Sequence, residues 1–279
     1  MLSDVTPLIL TFNEAPNIRR ALEKLAWAKQ ILVVDSFSTD ETLDIARSFP
    51  QVRIVQRKFD TFAGQCNFGL QKINTEWVLS LDADYVLSDE LDSELRELKP
   101  DGDVAGYRAK FVYCIDGRPL RASLYPPRTV LYRRTRARYR DEGHGHRVRV
   151  DGYVAELRSP IFHDDRKPLD RWLHEQNRYA VREAEYLFAA ESKPPGAGSR
   201  KPGLGEMPAL NWRDRIRKKV VLSPILIFFY TLFGRGLILD GWPGLYYVFQ
   251  RTLAEILLSL RLMESEAARG RESPSGNRD

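Results

Sequence analysis

The sequence predicts an α/β protein, a mainly parallel sheet with helices on both faces, followed by a C-terminal helical region. Three observations carry that expectation. Strand and helix signals alternate over roughly the first hundred residues, the pattern of parallel strands joined by crossover helices. Most of the Pro and Gly that mark a hinge gather in residues 192–208. Two apolar stretches then come after a run of basic residues.

The elements run in order. Residues 8–11 are a short apolar run, and Pro16 opens a helix with Ile18, Ala21, Leu22 and Leu25 at helical spacing. Residues 31–34 form a second buried-strand run ending at Asp35. Ser38 and Glu41 have the spacing of a capping box for the next helix. Residues 52–55 are a third strand, 62–73 a helix, and 77–81 a fourth strand ending at Asp82. Ser88 caps a helix through Leu98. Beyond Val104 the pattern changes, with apolar segments 104–115 and 120–124 flanking the hairpin signal Asp116-Gly117. Residues 129–133 and 148–150 are further strands, Asp151-Gly152 is a second turn, and helical periodicity returns over 169–190. The chain thus divides into a domain over 1–191, a linker over 192–210, apolar helices within 211–264 and a disordered polar tail over 265–279.

Bulk properties narrow the field. Hydrophobic residues make up 43% of 279, enough for a packed core. The net charge of +5 is too small for wholesale nucleic-acid binding, so no nucleic acid is expected as a partner. The basic residues are instead clustered: seven Arg over 133–152, and Arg213, Arg215, Arg217, Lys218 and Lys219 just before the most apolar stretch. The first cluster suits phosphates, the second an anionic membrane surface. Cys66 and Cys114 lack disulfide or metal-ligand patterning and are expected as reduced packing residues. The N-terminus carries no signal-peptide pattern, which places the catalytic part in the cytoplasm.

Asp35, Asp82 and Asp84 all fall at strand ends, the edge where open α/β sheets bind ligands. Asp82 and Asp84 are two apart, so in an extended segment both carboxylates project to one side. Two hard oxygen ligands suit Mg²⁺ or Mn²⁺, which in turn holds a diphosphate; the competing reading is an ordinary turn.

Three ordered motifs add to this. Pro7-Leu8-Ile9-Leu10-Thr11-Phe12-Asn13-Glu14, Val33-Val34-Asp35-Ser36-Phe37-Ser38-Thr39-Asp40 and Leu79-Ser80-Leu81-Asp82-Ala83-Asp84 together resemble the donor-binding half of family 2 glycosyltransferases, over roughly residues 5–165. The resemblance implies a GT-A fold, a Rossmann-like mixed sheet flanked by helices. It also implies that Thr11 and Glu14 line the nucleotide pocket, that Asp35 meets the base, that Asp82 faces ribose or metal, and that Asp84 binds the metal. Loop capping is the alternative for Glu14 and Asp35. Further along, the chain is similar to the lipopolysaccharide-core glucosyltransferase subgroup. The residues that carry this are Tyr125-Pro126-Pro127-Arg128, the Arg-rich segment ending Asp141-Glu142-Gly143-His144-Gly145-His146-Arg147, Ile161-Phe162-His163-Asp164 and Leu237-Ile238-Leu239-Asp240-Gly241-Trp242. That subgroup commonly has a His-Glu pair where this chain has Gly143-His144-Gly145-His146-Arg147.

The implied activity is inverting transfer of a hexose, glucose foremost, from a nucleotide-sugar donor such as UDP-glucose to a lipid-linked saccharide such as lipopolysaccharide core. A polyprenyl-phosphate acceptor, or a membrane-associated scaffold with a degenerate fold, are the other readings. Inverting transfer needs a carboxylate base. Asp141 and Glu142 are the only acids over 118–150, and Glu142 is preferred; the alternative is that both pair with arginines. His163 is the preferred third metal ligand over His144 and His146, against a structural hydrogen-bonded role. Arg128 and Arg133 are placed to reach the diphosphate, or to stand on a solvated strand face.

The C-terminal stretch 220–233 is apolar but for Ser223, Pro224 and Thr231, and Arg235 and Asp240 interrupt the apolar residues beyond it. A spanning helix wants about 20 mostly apolar residues. Pro224 is expected to kink the first helix, and residues 245–262 are amphipathic. Interfacial or re-entrant helices, a true span and a buried bundle are all open, and the first is preferred. The expected location is the cytoplasmic face of the inner membrane, peripheral or monotopic.

Overall fold

Seven strands make the main sheet, lying side by side in the order Tyr153–Glu156, Val104–Ala109, Arg128–Arg133, Trp77–Asp82, Val5–Thr11, Ile31–Asp35 and Val52–Gln56. In this computed structural model the described residues are 2–142, 145–191, 217 and 219–272. β1 (Val5–Thr11), β2 (Ile31–Asp35), β3 (Val52–Gln56) and β4 (Trp77–Asp82) run parallel. Three helices join them: α1 (Ile18–Glu23), α2 (Thr42–Arg47) and α3 (Phe62–Gln71). β1 has β2 on one side and β4 on the other, with Thr11 level with Asp35 and Leu10 level with Asp82. β9 (Arg128–Arg133) pairs antiparallel with β4, β6 (Val104–Ala109) antiparallel with β9, and β12 (Tyr153–Glu156) parallel with β6. The sheet is therefore mixed.

The period-2 alternation of a strand explains why these runs are apolar throughout. Ile9, Val33 and Leu79 pack on one face with Ile18, Leu22 and Leu91. Leu8, Leu32, Val34 and Val78 pack on the other with Ala63, Cys66, Leu70 and Tyr132. Both cysteines are free and buried, as expected.

Helix starts follow side-chain chemistry. Thr61 Oγ1 accepts from Gly64 N at 3.0 Å to start α3, and Ser88 Oγ from Leu91 N at 3.1 Å to start α4 (Asp89–Glu97). The Ser38–Glu41 capping box does not form. Ser38 Oγ donates to Asp35 instead, α2 begins at Thr42, and Asp40 Oδ1 takes the Thr42 N–H at 3.0 Å. Two carboxylates compete for the local donors, and the buried one claims the serine.

The segment 104–115, expected as one strand, breaks at Lys110 and serves two sheets. β7 (Phe111–Ile115) joins β5 (Tyr85–Leu87), β8 (Arg118–Pro119) and β13 (Ile161–His163) in the order β5-β13-β7-β8. The Asp116-Gly117 turn forms with φ of 50° and 75°, the left-handed values a tight hairpin needs. The returning strand is Arg118–Pro119 rather than 120–124. β10 (Ala137–Glu142) and β11 (Gly145–Val150) make a separate antiparallel ribbon.

Two compact units meet in sequence between Lys167 and Pro168. The long helix α5 (Leu169–Glu191), expected in the first domain, groups with the second unit because Ala180, Ala184, Leu187 and Phe188 pack on Leu258 and Leu262. The expected linker, 192–210, lies outside the described residues. α6 (Leu222–Phe229) carries Pro224 in its first turn, where a missing N–H costs no helical hydrogen bond, so no kink arises there. A π turn (Tyr230–Gly234) and a 3₁₀ turn (Leu237–Asp240) lead to α7 (Trp242–Glu272). α7 runs past residue 264, so part of the expected tail is helical, in keeping with the strong helix formers Glu264, Glu266, Ala267 and Ala268. No helix among the described residues is long and apolar enough to cross a membrane.

Candidate active site

Three strand ends converge at the switch point where β1 has neighbours on both sides, the usual ligand crevice of such sheets. Asp35 is fully buried there. Its Oδ1 accepts from Thr11 Oγ1 at 2.9 Å and Ser38 Oγ at 2.5 Å, and its Oδ2 from Ser38 N at 2.9 Å and Gln56 Nε2 at 3.2 Å. A base would reach this carboxylate only after Ser38 or Gln56 moves aside. Asn13, at φ 55°, turns the β1–α1 loop so that its N–H meets Ser38 Oγ at 2.8 Å and its Oδ1 takes Thr39 N at 2.7 Å. Phe12 and Phe37 flank this knot and stay about half exposed, at 49% and 53%.

Asp84 sits in the turn between β4 and β5, next to His163 at the end of β13. His163 Nε2 lies 3.1 Å from Asp84 Oδ2, and each side chain is 13% exposed. Burial opposes ionisation of Asp84, but His163 and then Lys167 outweigh it and hold the carboxyl down at about 2. Asp84 Oδ1 and His163 Nδ1 are buried with no hydrogen-bond partner among the described residues. A carboxylate beside an imidazole, once the imidazole is neutral, fits Mn²⁺ or Mg²⁺ in chemistry.

Asp82 is the other acid expected as a ligand. Its charge is felt by Arg128, Tyr85 and Tyr125. Among the described residues, no three His, Cys, Asp or Glu side chains converge closely enough to hold an ion. The expected ligand set is thus assembled only as the pair Asp84 and His163.

Arg128 begins β9, and because β9 runs against β4 that start lies at the edge where β4 ends. Its guanidinium stands 4.9 Å from the Tyr125 ring centre, and the Tyr125 and Tyr85 hydroxyls hydrogen-bond to each other. The Tyr125 ring also packs 4.6 Å from His163. Arg133 closes the same strand at the opposite edge, over Trp77 and paired with Glu76. It cannot serve the site. The backbones of Asp141 and Glu142 belong to β10, but the side chains of 141–147 lie outside the described residues.

Sequence reasoning missed the residues that bind the 163–167 segment to the site. Asp164 N donates to Asp84 O at 3.0 Å, and the buried Asp164 carboxylate takes Arg20 Nη1 at 2.5 Å, Arg166 Nε at 3.0 Å and Gly117 N at 3.0 Å. Asp165 Oδ1 accepts from Asn17 Nδ2 at 2.8 Å. Lys167 Nζ donates to Glu14 Oε1 at 2.9 Å. The available signal was five chemistry-bearing residues in a row, His163-Asp164-Asp165-Arg166-Lys167, directly after a strand.

The model of the family described as "Glycosyl transferase family 2" matches residues 8–161, a span that holds Thr11, Glu14, Asp35, Asp82, Asp84 and Arg128 and ends just before His163. A lipopolysaccharide core biosynthesis glycosyltransferase, LpsC of Rhizobium meliloti, is 23% identical over 96% of this chain and 94% of its own length. An uncharacterized glycosyltransferase of Rickettsia bellii is 37% identical over 33% of this chain and 31% of its own. Among solved structures, the mannosyltransferase PcManGT of Pyrobaculum calidifontis, in complex with GDP-Man and Mn²⁺, has a TM-score of 0.53 at 17% identity. That match covers 97% of this chain and 88% of the other. This likeness shows a shared GT-A-like fold.

Proposed function

Because the chain belongs to glycosyl transferase family 2, we propose that it moves a hexose, glucose foremost, from a UDP-sugar to a lipid-linked saccharide such as lipopolysaccharide core. The observation that carries the reading is the buried Asp84–His163 pair, each with a polar atom unpartnered among the described residues, at the carboxyl edge of a family 2 sheet. The full-length likeness to LpsC supports the acceptor class.

Each residue then has a task. Thr11, Ser38 and Gln56 fix Asp35, which meets the base once Ser38 or Gln56 moves aside, and Glu14 borders the same pocket. Asp84 and His163 would hold Mg²⁺ or Mn²⁺, with Asp82, at the end of β4, towards the donor. Such an ion, when bound, neutralises charge that builds on the departing diphosphate. Arg128, kept in place by the Tyr125 face, adds a fixed positive charge to the same edge. Glu142, or Asp141 beside it, takes the acceptor hydroxyl's proton for an inverting displacement.

The second unit is the proposed membrane-docking region. Val221, Ile225, Phe229, Phe233, Leu239 and Phe249 expose large apolar side chains on α6, α7 and the turns between them. Lys219 and Arg235 border that face, as expected of an interfacial anchor on the cytoplasmic side of the inner membrane.

The test is a screen of UDP-, GDP- and dTDP-sugars for metal-dependent hydrolysis and for transfer to a lipid-linked acceptor. Hydrolysis of one UDP-hexose is expected to vanish in chelator and return with Mn²⁺ or Mg²⁺. Asp84→Asn is expected to lower it at least about 100-fold. Full activity in chelator, or in Asp84→Asn, removes the metal-assisted reading.

A further inference from the structure

Lys167 closes the first unit and is drawn inward rather than out to solvent. Its side chain is 9% exposed, with Nζ 2.9 Å from Glu14 Oε1 and 3.6 Å from Asp165 Oδ2. Asp84 also feels this ammonium. The anchoring of 163–166 fixes the backbone that carries it, through Asp164 to Arg20 and Asp165 to Asn17.

A buried ammonium among three carboxylates acts as their counter-ion. A divalent cation approaching Asp84 meets the field of the same ammonium, and like charges repel. A Lys head is compact and its four-carbon stem flexible. It can leave one anion for another with the backbone at rest. A diphosphate brought to Asp84 by a metal is the anion that would draw it.

We propose that Lys167 is a ligand of the donor diphosphate, and that before the donor arrives it occupies the acidic cluster as a counter-ion that competes with the metal. This rests on the glycosyltransferase reading above. Metal alone then binds weakly, while metal and nucleotide bind together with positive coupling, because the nucleotide removes the competitor.

The experiment uses the full chain and two titrations. Mn²⁺ alone is followed by electron paramagnetic resonance, and UDP and GDP are titrated at saturating Mn²⁺ by calorimetry. Lys167→Gln keeps a hydrogen-bonding group beside Glu14 and removes the charge. It is expected to tighten Mn²⁺ binding and to weaken nucleotide binding, each on the order of tenfold. Lys167→Arg stays near wild type in both, and Lys167→Met repeats the charge loss should the Gln variant fold poorly. Opposite shifts are the signature. If both affinities fall together, or neither moves, Lys167 is a structural tie and the proposal is overturned. A wild-type chain that binds Mn²⁺ but neither nucleotide overturns the donor reading itself, and the proposal with it.

Discussion

Glu14 is an acid in a costly place, 13% exposed and close to Asp84. Burial pushes its carboxyl up, the Lys167 ammonium pulls it down, Asp84 adds to the rise, and the balance stands at about 7 against an ordinary 4.5. A raised pKa means that the folded chain holds a proton the unfolded chain releases. The associated stability is full below 4.5 and is lost as pH climbs through about 7. In metal-free protein, Glu14→Gln is therefore expected to flatten the fall of melting temperature over that window. Thermal unfolding across a pH series checks this; an undiminished pH slope in the variant contradicts it. At this scale the strand-end acids were readable in the sequence, since position on the carboxyl edge follows from strand boundaries alone. Lys167 was not. Its partner Glu14 lies 153 residues away, and no local pattern announces such a contact. The approach of Arg128 to Asp82 was equally hidden, because Arg128 arrives on another strand.

The short elements show where local chemistry decides and where it yields. Ser88 caps its helix as its sequence context suggests, whereas Ser38, in an equally good context, is taken by the buried Asp35. β5 and β12, of three and four residues, were missed because runs so short carry no readable period. The turn before α7 makes a sharper claim. A Cβ on Gly244 would lie 1.9 Å from Leu237 O, a backbone atom that cannot swing aside. Helix propensity alone favours Gly244→Ala by about 1 kcal/mol, yet overpacking of this kind costs about 3 kcal/mol. The clash wins. The variant is expected to melt at lower temperature than wild type, by calorimetry; a rise would mean that the 3₁₀ turn relaxes freely.

The whole molecule divides unequally between what sequence shows and what it hides. The parallel core was visible in its apolar runs, and the mixed character of the sheet entered through β9, whose pairing no local pattern specifies. The boundary was misplaced because α5 reads as one more amphipathic helix, and only its packing on Leu258 and Leu262 assigns it to the second unit. That unit should bind vesicles of mixed anionic and neutral lipid in a flotation assay, with partial release at high salt as the basic residues are screened. Retention that salt does not touch would leave the apolar face as the sole anchor; failure to float at low salt contradicts docking.

β9 enters the sheet from the carboxyl edge and leaves at the far side, the reverse of its parallel neighbours. The residues ahead of it, 120–127, therefore lie on the chain just before Arg128. An insertion at the exposed Arg121, between the buried Leu120 and the packed Tyr125, lengthens the loop at about 0.6 kcal/mol for each doubling of its length. Across generations, a lineage of such proteins can try new loops beside Tyr125 and Arg128 while strands β1, β2 and β4 stay as they are. Variation in that loop is thereby separated from variation at the ends of β1 and β2, where Thr11 and Asp35 lie.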